Sequence, residues 1–396
     1  MRRKLIVVVA LVLVAGFSGC NNAKKQSDKA RVTEQWDKTR AKVKGTLAKE
    51  QYDNGQFDKA RVSVNEAMKL DPENASIRVL SAKIAIEQSQ MEIAERELKL
   101  ARQFDPHNVE ADYLSGVVFQ RWQKPELAYD FYCRASEKAP SELAFLLAKA
   151  EMLVEMDRSP EALKLLLDKV VYFEHSSAIR DAAGQLLIGQ KKYAAGLVML
   201  REASILSPDD FTVREHLVMA LYYGKQYDEC STSLNKLLKE ERYAKRADLL
   251  ATLGHSECEM GHYREARDAF DRATKIDPSS AGLWLGLGKS ALELGDQRRA
   301  ELALRKAVSI DPTSSEASLL MGYLRLRQDR LQESLAAFQK VSSAENADPL
   351  SLCMTGYVLE KLGRPNEAIQ YYGKALKRNP NDELANKLMA GIQLHD

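Results

Sequence analysis

The feature of this sequence that most constrains its fold is a recurring interval of thirty-four residues between prolines. Seven prolines follow one another at intervals of 34, 34, 68, 70, 34 and 68 residues, so that all but one interval is a multiple of 34. They are Pro72, Pro106, Pro140, Pro208, Pro278, Pro312 and Pro380. Because proline cannot continue an α-helix, each of them marks a helix end. A period of this length indicates a chain built from repeated units.

Two further positions of each period carry small side chains. Twelve residues before the proline position, all ten copies have a small residue, from Ala60 in the first copy to Ala368 in the last. Twelve residues earlier again, nine copies have Ala or Gly and Val218 is the exception. Small residues at two fixed points allow two antiparallel helices to approach closely where they cross. The period therefore predicts a helix, a turn and a second helix in every copy.

This spacing resembles the tetratricopeptide repeat family. The clearest copy has the stretch 283–288, followed by Ala300, Leu304, Ala307 and Pro312. Ten copies begin near Ala41, Ala75, Val109, Leu143, Ser177, Phe211, Ala247, Ala281, Ser315 and Pro349. The resemblance implies an all-α fold, an α-solenoid wound as a right-handed superhelix of about ten 34-residue helix-turn-helix repeats over residues 41–382. Residues 383–396 are expected to form a capping helix over the exposed apolar end.

Three copies are irregular. Glu174, Arg242 and Asn346 stand where the period places proline, and the two-residue excess falls near residues 241–246, where we expect a lengthened turn. A single long coiled coil is excluded, because its heptads would run through the glycines and prolines. A bundle of separate domains is the other alternative, although no linker-like stretch follows residue 41.

The N-terminus has the pattern of an export signal. Three basic residues precede an apolar run over residues 5–17, which is shorter than the about 20 residues that cross a bilayer. Residues 1–19 resemble a bacterial lipoprotein signal peptide, which implies that Cys20 receives the lipid, and residues 20–40 are expected to form a polar tether. The protein would then face the periplasm. The residue after the cysteine is Asn21 and not the Asp that would signal retention in the inner membrane, so we expect the outer membrane. The alternative is a signal anchor that is not cleaved.

Charge and family resemblance together favour a protein-binding function. Lys and Arg total 58 against 56 Asp and Glu, which argues against a nucleic-acid partner. Lipoproteins of the family it resembles act in the assembly of pilus, secretion, outer-membrane and polysaccharide-export machinery. We therefore expect a membrane-anchored scaffold for protein or peptide segments, and a passive structural spacer is the alternative. Neither a phosphate loop nor a nucleophile elbow occurs, so no catalytic residue and no cofactor are predicted.

In the family, the first helix of each pair lines a concave groove. From the fourth to the seventh copy, the corresponding positions hold six acids and neither Lys nor Arg. Such a groove would suit a basic peptide, with tyrosine rings supplying apolar contact; alternatively, the acids are a solvated face and the tyrosines pack between helices. The Lys and Asn set with which the family clamps a terminal carboxylate is not found at these positions. The predicted groove residues are Glu151, Glu155, Asp181, Glu215, Tyr222, Tyr223, Asp248, His255, Glu259, Tyr323 and Tyr357.

A metal or redox site is a lesser hypothesis. His255, Cys258 and Glu259 share one helical face, and all three side-chain types can ligate metals. His262 falls at the turn where that helix should end, which weakens the set, and we predict no metal. Cys230 and Cys258 lie on adjacent copies, and the sequence leaves open whether they form a disulfide.

Overall fold

The computed structural model describes residues 29–393, and this part of the chain consists of twenty-one helices with no strand. The all-helical solenoid prediction is therefore confirmed. The helices are α1 (residues 29–53), α2 (Phe57–Leu70), α3 (Ala75–Glu87), α4 (Met91–Phe104), α5 (Val109–Arg121), α6 (Pro125–Lys138), α7 (Leu143–Glu155), α8 (Ser159–Lys169), α9 (Ser177–Gly189), α10 (Tyr193–Leu206), α11 (Phe211–Tyr223), α12 (Tyr227–Leu237), α13 (Ala247–Glu259), α14 (Tyr263–Ile276), α15 (Ala281–Glu293), α16 (Gln297–Ile310), α17 (Ser315–Arg327), α18 (Leu331–Ser342), α19 (Pro349–Lys361), α20 (Pro365–Arg378) and α21 (Glu383–Gln393).

In five copies the first helix (α3, α5, α11, α17 or α19) starts at a capping side chain shortly after the preceding turn. The Asn74 side chain accepts a hydrogen bond from the backbone N–H of Ile77 at 3.2 Å, and Asn108 accepts one from Ala111 at 2.9 Å. Asp348 caps α19 in the same way, through the N–H of Ser351 at 2.9 Å. Each cap satisfies a backbone donor that the first turn of a helix leaves unpaired. The local sequence therefore determines where these helices begin.

A bulky side chain on the second helix packs against a small residue on the first. The buried ring of Phe270 on α14 lies between Gly254 on α13 and Gly286 on α15. A Cβ atom would come within 2.8 Å of this ring at Gly254 and within 2.5 Å at Gly286. Phe338 excludes a side chain at Gly322 in the same way, at 2.6 Å. Gly254 and Gly322, two of the small positions of the period, therefore lie against large buried rings, and Gly288 lies against the Leu304 side chain in the same way.

The described chain divides into two compact units, residues up to 187 and residues from 188 onward, and the boundary in the sequence falls within α9. In the first unit, one core cluster packs α1 to α3 around Val64, Ile77 and Ile84. In the second unit, the largest cluster surrounds Phe270 and Tyr243. At its C-terminal end, α21 packs against α19 and α20, with Ala385 buried.

The copies that lack proline have shortened second helices. The helices α8 and α12 have 11 residues each and α18 has 12, whereas regular second helices such as α14 and α16 have 14. After α12, residues 238–246 form the lengthened turn that the sequence predicts. Tyr243 is fully buried there and its hydroxyl donates to the Phe211 carbonyl at 3.4 Å, so that the ring of Tyr243 fills the space beneath the turn.

The tether prediction is wrong for residues 29–40, which are helical. This stretch has no Gly or Pro, and Glu34 and Lys38 form an ion pair one turn apart at 2.6 Å, so helix α1 continues through it. The predicted signal peptide and Cys20 lie outside the described residues. Among the helices that the structure describes, none has the length and apolar character that crossing a bilayer would require.

We expect Gly286→Ala to lower the free energy of unfolding by about 1–3 kcal/mol, because the new methyl group overlaps the Phe270 ring. This loss outweighs the higher helix propensity of Ala, which by itself would raise the free energy of unfolding by about 1 kcal/mol. Urea denaturation of the full chain measures the change. The control is Gly282→Ala on the same helix, where the nearest atom, Ser280 Oγ, would be 3.9 Å away. Equal stability of the two variants would contradict the packing argument.

Candidate functional site

The predicted groove residues of the first unit differ in their exposure. Glu151 and Glu155 lie four residues apart on one face of α7, and both are exposed. Asp181 on α9 is buried, and its carboxylate accepts a hydrogen bond from the Gln185 side chain at 2.7 Å. Glu151 and Glu155 can therefore meet a ligand directly, whereas Asp181 belongs to the packed part of its helix.

In the second unit, an arginine joins two of the predicted acids. The Arg246 guanidinium, at the start of α13, donates two hydrogen bonds to Glu215, at 3.1 and 3.2 Å. It donates two more to Asp248, at 2.9 and 2.7 Å. These bonds hold the pKa of the Asp248 carboxyl below its ordinary value. This neutralisation is not evident from the sequence, because Arg246 precedes the helix and lies outside the positions predicted to line the groove.

Three tyrosines and one carboxylate form what we call the tyrosine surface: Tyr222, Tyr223, Tyr227 and Glu259. The Tyr222 ring meets those of Tyr223 and Tyr227 edge-on, with centroid distances of 5.6 and 5.9 Å. Partial burial and the neighbouring Tyr227 and Glu259 raise the pKa of Tyr222. Tyr223 is 48% exposed, and Glu259 is exposed without an ion pair to any residue that the structure describes. The tyrosine surface therefore combines aromatic rings with a carboxylate that has no ion-pair partner in the described chain.

The possible metal ligands do not converge. The exposed His255 ring lies edge-on against Phe270 at 5.0 Å, and partial burial and the charge of Lys289 lower its pKa. His262 instead contacts a different residue: its Nδ1 atom lies 2.9 Å from a carboxylate oxygen of the buried Glu257. Within residues 29–393 no group of three His, Cys, Asp or Glu side chains is arranged to hold a metal ion.

The cysteines of the described chain are all free thiols. Cys230 and Cys258 form no disulfide, and neither do Cys133 and Cys353. Cys230 is buried, and its sulfur accepts a hydrogen bond from the Ser256 hydroxyl at 3.5 Å. Burial raises the pKa of the Cys258 thiol, which keeps it protonated and weakens it as a metal ligand or nucleophile.

The two remaining predicted tyrosines mainly contact neighbours on their own copies. Tyr323 is half-buried and meets Phe338 edge-on at a centroid distance of 5.7 Å. The half-buried Tyr357 ring lies 5.1 Å from the ammonium group of Lys361. Tyr323 therefore packs against the second helix of its copy, and Tyr357 contacts a lysine one turn further along its own helix.

A cleft in the first unit escaped the sequence analysis. It has a volume of about 540 Å³ and lies between α1 and α3, with Glu110 of α5 at its edge. Lysines stand at groove-facing positions of the first two copies, and this pattern could have indicated the cleft. The predicted groove, however, included residues only from the fourth copy onward. We call it the lysine cleft; its lining includes Lys38, Lys42, Gly45, Thr46, Lys49, Tyr52, Asp53, Asp71, Asn74, Ile77, Leu80, Lys83 and Glu110.

Comparison with protein families matches two parts of the chain. Residues 182–395, more than half of the chain, match the Cilia and flagella-associated protein 70 C-terminal domain, and residues 35–116 match the Tetratricopeptide repeat. A curated relative, BBSome complex member BBS4 of Bos taurus, is 21% identical over 225 residues. The match covers 56% of this chain and 42% of the relative, so the chain spans less than half of that protein's length.

Solved structures with similar helical repeats include two crystal structures of the MamA protein. Each has a TM-score of 0.40 and 20% identity, and the matches cover 43% and 41% of this chain and 91% and 95% of theirs. YrrB, described as a TPR protein with an unusual peptide-binding site, has a TM-score of 0.35 and 16% identity, with 56% of this chain and 96% of its own covered.

Replacing Arg246 by Gln should raise the pKa of Asp248 toward that of an ordinary carboxyl, because the hydrogen bonds that favour the charged form are lost. NMR titration of labelled aspartate carboxyl carbons measures this pKa. Any stability that the pair contributes is present above the ordinary pKa and disappears as the pH falls through the depressed one, so variant and parent should converge in acid.

The matched control for this titration is Arg242→Gln in the same turn. The Arg242 guanidinium stacks on the Phe211 ring at 3.6 Å and makes no bond to Asp248. An Asp248 pKa that stays low in the Arg246 variant would show that another group holds it down.

Proposed function

Because the chain belongs to the tetratricopeptide repeat family, we propose that it is a membrane-anchored scaffold of the bacterial cell envelope that holds a basic segment of a partner protein. The observation that carries the proposal is the tyrosine surface, where exposed aromatic area adjoins the unpaired carboxylate of Glu259. A Lys or Arg side chain of a partner can lie on the Tyr223 ring and pair with that carboxylate.

Magnitudes explain why an anchor would matter for such a scaffold. An exposed ion pair contributes only about 0.2–1 kcal/mol, and an exposed cation–π contact contributes about 0.5–1 kcal/mol. Contacts of this kind hold a partner only when several act together or when the local concentration is high. A lipid on Cys20 would confine the scaffold to a membrane surface and so raise the effective concentration of a membrane partner.

The proposed location rests on the N-terminal sequence. The short apolar run followed by Gly19 and Cys20 resembles a lipoprotein signal, which supports a periplasm-facing protein, with the outer membrane preferred over the inner membrane. The assembly of pilus, secretion, outer-membrane or polysaccharide-export machinery would supply partners for such a scaffold. The proposed role involves no catalysis.

Site-specific photo-crosslinking in native membranes tests the partner proposal. A photoreactive residue at position 222 should capture one discrete envelope protein, whereas the same probe at Lys236, an exposed position on α12, should not. Glu259→Gln should lower the yield from position 222, because it removes the charge that a basic segment would meet. Equal and diffuse labelling from both positions would instead favour a passive spacer.

Fractionation of cells that carry Cys20→Ser tests the anchor. The variant should leave the membrane fraction, because a residue without a thiol cannot receive the lipid. Cys133→Ser, which changes a thiol in the helical part of the chain, serves as the control and should stay with the membranes. Retention of the Cys20 variant on membranes would instead favour the uncleaved apolar run over residues 5–17 as the means of attachment.

A further inference from the structure

Helix α1 carries an apolar face that no part of the described chain covers. Val32, Trp36, Val43 and Leu47, which we call the apolar stripe, are between 45% and 66% exposed. Because each residue of an α-helix is turned by about 100° from the last, these four side chains fall within a sector of about 60°. Single exposed apolar residues are ordinary, whereas four in line over about four turns indicate a contact surface.

The other side of α1 holds the helix in the fold. Ala41 and Ala48 are fully buried there, in one core cluster with Ala60 and Val64 of α2. Since small residues make these contacts, α1 lies close against its copy through that side. The apolar stripe therefore takes no part in the packing of the first copy.

In later copies, the position of Val43 is covered by the copy that comes before. One period after Val43 stands Ile77, which is buried in a core cluster with Val64 of α2. Leu249 occupies the same position on α13 and is buried in a cluster with Leu234 of α12. No copy precedes α1 in the described chain, so the apolar stripe lies where a preceding second helix would pack.

The two ends of the array differ in how they are covered. At the C-terminal end, α21 packs against α19 and α20 and buries Ala385. At the N-terminal end, residues 29–393 supply no corresponding helix. This open end is also the one next to the proposed membrane attachment, because α1 begins about nine residues after Cys20, a reach of at most about 30 Å.

We infer that the apolar stripe docks α1 onto the surface of the lipid bilayer, so that the membrane covers the open end of the array. The helix lies along the interface, where the ring of Trp36 is favoured and the aliphatic side chains reach the acyl boundary. Residues 29–53 contain seven basic and four acidic residues, which adds attraction to an anionic leaflet. The exposed Glu50 marks where the stripe ends.

The size of the stripe favours a membrane over another protein. A stable interface between two proteins buries about 800 Å² on each partner and takes about 20–30 residues from each side. Four side chains fall short of this, whether the partner is a second copy or a foreign helix. A bilayer needs no such area, because the N-terminal attachment would already hold α1 beside it.

This inference rests on the membrane attachment proposed above but does not depend on the group that provides it. A lipid on Cys20 and an uncleaved apolar run over residues 5–17 would both place α1 beside the bilayer. The outcome of the Cys20→Ser test therefore leaves the docking of α1 open to its own test.

That test is quenching of tryptophan fluorescence in the purified full chain, reconstituted into vesicles of phosphatidylethanolamine and phosphatidylglycerol with brominated acyl chains. Bromine quenches only the rings that reach the acyl region. Trp36→Phe should remove most of the quenched emission, because Trp122 and Trp284 lie half-buried on other copies. The matched control adds Val62→Trp to that variant. It places a ring at a 61% exposed position of α2 and should not restore the quenching.

A charge within the stripe tests its apolar character. Val43→Asp should lower the quenched fraction of Trp36 emission about twofold or more, because a carboxylate replaces apolar area that the bilayer would bury. Val62→Asp introduces the same change on α2 and should leave the quenching unaltered. Both positions are exposed, so the fold should tolerate either substitution, and circular dichroism checks that the helix content is kept.

The outcomes separate this inference from the anchor proposal. Vesicles that carry the protein but leave Trp36 unquenched would overturn the inference alone, whereas a chain that does not float with the vesicles would overturn both. Quenching restored by Val62→Trp would show that the contact is not confined to the stripe. A dimer that Val43→Asp dissociates and Val62→Asp does not, measured by analytical ultracentrifugation, would assign the stripe to a second copy and overturn the inference as well.

Discussion

The rest of the structure depends on the contact between a bulky side chain on a second helix and a small residue on a neighbouring first helix. Phe270 fills the space between two helices only because Gly254 and Gly286 leave it open, and Phe338 does the same at Gly322. This close packing sets the distance between the helices of a copy and between that copy and the next.

Sequence reasoning predicted the repeat architecture because its signals are local. A proline beyond the first turn cannot continue a helix, and a cap such as Asn74 bonds three residues along its own chain. The same reasoning found the lengthened turn after α12, since a two-residue excess must be accommodated somewhere. The burial of Tyr243 beneath that turn was not predicted, because its contact with Phe211 joins residues 32 positions apart in the sequence.

Site prediction was less complete because charges pair over long separations in sequence. Arg246 and Glu215 are 31 residues apart, and the sequence around neither residue indicates that they form a hydrogen bond. Glu259 was predicted as a groove residue and is unpaired in the described chain, whereas Lys42 and Lys49 were overlooked. A family pattern indicates which residues share the groove-facing side of a helix. Only the three-dimensional arrangement shows which charges on that side are already neutralised by a neighbour.

The free thiols have a mechanical consequence. With no disulfide among the four described cysteines, adjacent copies are joined by the backbone, by side-chain packing and by non-covalent bonds such as the Lys83–Glu110 ion pair. Because each copy contacts mainly its neighbours, a pull along either unit is carried by the inter-copy interfaces in series, and the weakest of them yields first. The short second helices α8 and α12 offer less packed length than the others, so tension would open the array beside them while the ring-on-glycine contacts elsewhere stay closed.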